Sequence, residues 1–424
     1  MRLRLTNARL IDPEAGTCAP GELRVEDGRI APPGPVERTL DCGGLCLAPG
    51  IVDLGVKVGE PGERHKESFR TAGRAAAAGG VTTIVCRPDT APPVDTPEAL
   101  EYALARGRAA SPVRVHQMAA LTRGREGREM AEIGFLLDAG AVAFTDGDNV
   151  TRDARVLSRA LTYARSLGAL VIGHPQEPTL SAGACATSGR FASLRGLPAV
   201  SPLVERMGLE RDLALVEMTG GRWHVDQVTT AAALPALRRA REAGLDVTAG
   251  VSVHHVTLNA LDVADYRTFF KLAPPLRDEE DRVAVAEALA GGLIDVLCSW
   301  HTPQDEESKR LPFEAAAAGA VGLQTLLPAA MRLLHAGVAD LPALWRALSL
   351  NPARRLGIEG GSLRPGQPAD LVLFDPDAPF VLDRFGLKSK SKNTPFDGAR
   401  MEGRVRATWV GGEQVFGEGA YAPA

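Results

Sequence analysis

The chain is short of histidine, with 8 in 424 residues, and short of aromatics, which make up 5%. No apolar run approaches the roughly 20 residues of a membrane-spanning helix, so no membrane partner is expected. Neither charge dominates: 48 Lys and Arg stand against 52 Asp and Glu, a net charge of -4, which gives no basic field for nucleic acid. Residues 1–12 alternate apolar and polar side chains without the apolar core of a signal peptide, so they are expected to form a strand in a cytoplasmic protein. The 6 cysteines are scattered, and Cys86 and Cys298 fall inside apolar runs, which is the pattern of reduced structural thiols. Cys42 and Cys46 lack the second Cys/His pair of a zinc finger. What remains is ordinary globular composition, 45% apolar and 24% charged, long enough for two or three domains or one α/β barrel with an extra module.

Two patterns divide the chain. Residues 1–52 and 356–424 carry short alternating runs broken by turn residues such as Asp27-Gly28 and Gly411-Gly412, so the two ends are expected to fold together as a small β-sandwich module. Between them, over 53–355, apolar runs at 51–58, 81–86, 113–119, 141–145, 169–173, 223–228, 245–253 and 294–299 alternate with helical stretches. Repeated βαβ units imply a parallel sheet, and eight of them fit a (β/α)8 TIM-like barrel. No GxGxxG follows the first strand to suggest a dinucleotide fold.

Catalytic groups in such a barrel sit at the C-terminal ends of the strands. In order, those ends offer Lys57, Gly59 and Glu60; Arg87 and Asp89; Gln117 and Thr122; Thr145, Asp146, Gly147 and Asp148. The second half offers His174 and Glu177; Asp226 and Gln227; His254 and His255; and Trp300, His301 and Gln304.

Several segments, spread over nearly the whole chain, resemble the dihydroorotase family of the amidohydrolases. They are Ala48-Pro49-Gly50-Ile51-Val52-Asp53, Glu60-Pro61-Gly62, Arg74 to Thr83, Arg211-Asp212, Lys271 to Arg277, and Ser391 to Phe396. The resemblance implies one or two Zn²⁺ ions at the barrel mouth, where a bound water ionises and opens a cyclic amide. In the family, zinc is held by an HxH on strand 1, a carboxylate or modified Lys on strand 4, a His on each of strands 5 and 6, and an Asp on strand 8.

At those positions this chain has Gly55 and Lys57, then Gly147 between Asp146 and Asp148, then His174, Gln227 and Trp300. Glycine offers no ligand, and a protonated Lys repels a dication by roughly several kcal/mol at low dielectric. An indole neither binds metal nor relays a proton, and it is large enough to fill a vacated metal cavity. The substrate-binding positions change too: Gly59 stands for an Arg, Asp89 for an Asn and Gln304 for a His. An Asp facing a carboxylate repels where an Asn would attract.

The expectation is therefore a chain resembling the catalytically inactive members of the family, with no cofactor. By the same resemblance it binds and supports the catalytic chain of aspartate transcarbamoylase in de novo pyrimidine (UMP) synthesis, as a homo-oligomer. The alternative is an active zinc-dependent dihydroorotase-like hydrolase with a rearranged site built from Asp146 or Asp148, His174, His254 and His301. The bland readings are a structural His254-His255 pair, a loop-bonded His301, core or surface places for His65, His116, His224 and His335, and a solvated loop at Lys388 to Lys392.

Overall fold

A computed structural model describes residues 2–421. Strands Ile51–Val56, Val81–Cys86 and Arg114–Gln117 form one parallel arc of a barrel. Leu170–Gly173, Arg222–Val225, Val247–Ser252 and Val296–Cys298 form the other. The fourth strand expected at 141–145 shrinks to Phe144, which bridges Ala119 on one side and Val171 on the other. Gly140 (φ +103°) and Gly147 (φ +62°) bracket it in backbone conformations that a strand does not use.

No ladder joins the last strand to the first. The buried Asp53 carboxylate closes that seam by accepting the Ser299 N–H at 2.8 Å and the Ser299 hydroxyl. Above it, the Lys57 N–H donates to the His301 carbonyl at 2.8 Å. Val52, Leu54, Val85, Met118, Ile172 and Val296 fill the barrel in one apolar cluster, so its lower half is packed core.

Helices cover the outside. Phe69–Ala78 begins with a reciprocal cap between Ser68 and Thr71 and buries Phe69 and the alanines that follow, whose small side chains admit a close approach to the strands. Asp153 caps Ala154–Ser166, with its carboxylate accepting from the Arg155 N–H. Strands from both chain ends make one eight-stranded sheet: Arg2–Asp12 pairs with Thr17–Glu26 and Cys46–Pro49, and Cys46–Pro49 with Leu371–Asp375. Its apolar cluster mixes Leu5, Val25 and Leu47 from one end with Leu371, Ala407 and Trp409 from the other. All six cysteines are free, and burial pushes the thiols of Cys42 and Cys46 up to about 12, away from the thiolate that a metal needs.

Candidate functional site: the mouth of the barrel

The first strand bulges at Gly55, where the register with its neighbour shifts and φ is +93°. The space a side chain would take there is occupied by the Trp300 ring, since a Cβ on Gly55 would lie 2.4 Å from Trp300 Cζ3. Trp300 itself sits at φ +46°, a left-handed conformation rare for a bulky residue. The guanidinium of Arg87 lies over the indole, 4.5 Å from the ring centroid. The cavity left beneath, lined by Leu54, Arg87, Asp226, Cys298 and Trp300, is about 10 Å³, at the lower limit for one water.

Around this plug the charged groups pair with one another. Buried Arg87 bonds Asp148 at 3.0 Å, Asp89 at 3.2 Å and the Thr302 hydroxyl at 3.2 Å. The Lys57 ammonium lies 3.3 Å from Glu63 and 3.5 Å from Asp89. His174 Nδ1 meets Asp226 at 3.1 Å. Burial opposes the imidazolium of His174, but Asp226, Asp148 and Glu205 outweigh it and raise its pKa. Burial likewise lifts the Asp226 carboxyl above its usual range, against the pull of His174. For Asp148, desolvation is outweighed by Arg87 and then His174, which hold its carboxyl low. Asp89 thus serves two cations of the protein itself.

The remaining positions are structural. Gly59 starts a turn in which its carbonyl accepts from the Glu63 N–H at 2.6 Å, and a Cβ there would lie 2.4 Å from the Glu63 carbonyl oxygen. Asp146 is tied into its loop, accepting from the N–H groups of Leu121 and Thr122 and the hydroxyls of Thr122 and Thr151. Gly147 leaves room for Arg125, whose Nη2 a Cβ would approach to 3.3 Å. Gln227 is fully buried, its Oε1 accepting from the Ser252 N–H at 3.2 Å. His254 stacks on Phe396 at 5.6 Å, and burial, then His301, pushes its pKa down to about 4. His301 Nδ1 accepts from the Gly322 N–H at 3.1 Å, with Nε2 3.4 Å from Glu67. Gln304 donates to the Ala318 carbonyl at 2.8 Å. His255 is satisfied by Ser252 and the Pro274 carbonyl, and His224 by Thr248.

A zinc centre of the family type does not fit these residues. Among the described residues, no three His, Cys, Asp or Glu side chains gather to hold a metal. The rearranged set meets only in pairs: His174 and Asp148 line one cleft, His254 and Asp148 a smaller neighbouring cavity, Asp146 and His174 another, and His301 turns toward Glu67.

Arg87 and Asp226 stand among the strand ends of the sequence without an assigned role, and Glu67 is missed there. Arg87 and Asp226 lie at strand ends, a visible signal, whereas Glu67 reaches His301, Ser389 and the Lys390 N–H by contacts hundreds of residues apart in sequence. The Lys388 to Lys392 segment is a loop with Lys388 and Lys390 exposed, as expected, but it is anchored from beneath: Ser389 bonds Glu67, Ser391 donates to the Lys66 carbonyl, and Lys392 donates to the carbonyls of Leu387 and Ser389. Other motifs also brace loops. Arg277 pairs with buried Glu205 at 3.1 Å, and Asn393 holds the Thr302 and Gly319 carbonyls.

Beside the plug, an open cleft of about 870 Å³ runs between the loops after the third, fourth and fifth strand positions and the segment 271–275.

Residues 44–232 match the family model described as dihydro-orotase-like, and residues 234–415 that of the amidohydrolase family. The chain is 38% identical to a dihydroorotase of Syntrophus aciditrophicus (strain SB), over 99% of this chain and 100% of that protein. It is 39% identical to a dihydroorotase-like protein of Pseudomonas putida, over 98% and 100%. Among solved structures, the L-hydantoinase (dihydropyrimidinase) of Arthrobacter aurescens superposes with a TM-score of 0.89 at 25% identity, covering 99% of this chain and 97% of that one.

Proposed function

The chain belongs to the dihydroorotase-like family of amidohydrolases, and from that premise we propose that it is a non-catalytic member that binds and supports the catalytic chain of aspartate transcarbamoylase in pyrimidine synthesis. The observation that carries the first half is the packing of Trp300 into the space above Gly55, with Arg87 stacked over the ring. The charged groups nearest the plug, Lys57, Arg87, Asp89, Asp148, His174 and Asp226, each pair with an opposite charge of the chain itself, which favours internal ion pairs over a bound dication; Asp89 Oδ1 and Asp226 Oδ2 keep no hydrogen-bond partner among the described residues. The reading includes no resident zinc and a cytoplasmic homo-oligomer. An active cyclic amidohydrolase with a rearranged centre has less support, because its side chains are distributed among different contacts.

The aspartate transcarbamoylase partner follows from family resemblance alone. Co-expression with that enzyme's catalytic chain from the same organism, followed by affinity purification and assay, tests it. The expected result is a stable complex whose carbamoyl transfer differs from that of the catalytic chain alone. Separate elution together with unchanged transferase activity would overturn the role.

A further inference from the structure

The cleft of about 870 Å³ beside the plug is large enough for a small organic ligand, and its charges are unevenly matched. Its carboxylates are engaged: Asp148 with Arg87 at 3.0 Å, Asp153 with the Arg155 N–H at 2.7 Å, and Glu126 with Arg128 at 3.7 Å. Three of its cations have no carboxylate in contact. Arg125 directs Nε and Nη2 to the Asp146 carbonyl at 2.9 and 2.8 Å, and it acts on the Asp148 and Asp146 carboxylates through its field without touching either. Lys271 donates to the Glu314 carbonyl at 2.7 Å. Arg152 makes no hydrogen bond or ion pair among the described residues, and Glu177, whose carboxylate it influences, is bonded to Thr179 and Leu180.

The facing wall, Leu272 to Pro275, is apolar. Cations without carboxylates favour a dianion over a single carboxylate, and the apolar wall favours a flat body attached to it.

We infer that this cleft binds a phosphate monoester of an aromatic or heterocyclic group, with its phosphate held by Arg125 and Arg152 in the field of Lys271 and its ring along residues 272–275. The inference concerns binding and stands whether or not the chain hydrolyses a cyclic amide.

Titration calorimetry of the full chain with phenyl phosphate, inorganic phosphate and benzoate tests it. Phenyl phosphate is expected to bind saturably, about tenfold or more tighter than either of the others. Exposed Arg152→Glu should weaken it by about tenfold or more, whereas Arg238→Glu, an exposed change on the helix Leu234–Glu242, should leave it unaltered. Absence of saturable phenyl phosphate binding, equal affinity for benzoate or for inorganic phosphate, or indifference to Arg152→Glu would each overturn the assignment.

Discussion

Gly55 and Trp300 require each other. A methyl on Gly55 would press into the indole at 2.4 Å and sit at φ +93°, so Gly55→Ala is expected to lower unfolding free energy by about 2–4 kcal/mol. Trp300→Ala removes that clash but opens a cavity under Arg87, at about 3–5 kcal/mol. The double variant should therefore lose clearly less than the sum, and a denaturant-based double-mutant cycle measures the difference; strict additivity would mean that the ring does not rest on Gly55. His255 supplies a pH dependence. Burial, then Arg277, pushes its pKa down to about 3, so below pH 6.5 the unfolded chain takes up a proton that the folded chain refuses. Its contribution is intact above pH 6.5 and falls toward pH 3, at up to about 1.4 kcal/mol per pH unit. In urea titrations between pH 6 and 4.5, His255→Gln should show a correspondingly shallower loss than the parent chain.

At the scale of elements, the seam between first and last strands is joined by the buried Asp53 carboxylate and one backbone bond, Lys57 N–H to the His301 carbonyl, instead of a ladder. Asp53→Ala leaves the Ser299 N–H without its acceptor and should cost about 2–3 kcal/mol, with Asp53→Asn costing less because its carbonyl still accepts. Equal losses for the two variants, measured by chemical denaturation, would deny the seam that role. The barrel strands were legible because their apolar runs end in polar residues at regular intervals. The fourth was not, since the run at 141–145 looks like the others while its reduction to Phe144 depends on the glycines around it. Gly55, Lys57 and Trp300 were legible as departures from a motif. Their internal pairings with Arg87, Glu63 and Asp89 were not, because each joins different loops at the mouth. The Lys388 to Lys392 run looked solvated by charge alone, and its serines are what fold it onto Glu67 and Lys66.

Across the whole molecule, the barrel and the end module are fastened together. Arg114 on the third strand forks onto Asp370 at 2.6 and 3.1 Å, Trp345 Nε1 donates to the Pro49 carbonyl at 2.8 Å, and Thr408 donates to the Ala77 carbonyl at 2.8 Å. The barrel and end module of the family are thus present together, and at the mouth Lys57 pairs with Asp89 while the Trp300 ring packs against Gly55. The central claim is that this mouth has no place for zinc. Its most direct test is the zinc content, by elemental analysis, of the protein expressed with added zinc and dialysed without chelator. The account predicts far less than one zinc per chain, and a stoichiometric content of about one or two per chain, lost on replacing His174 or Asp148, would contradict it.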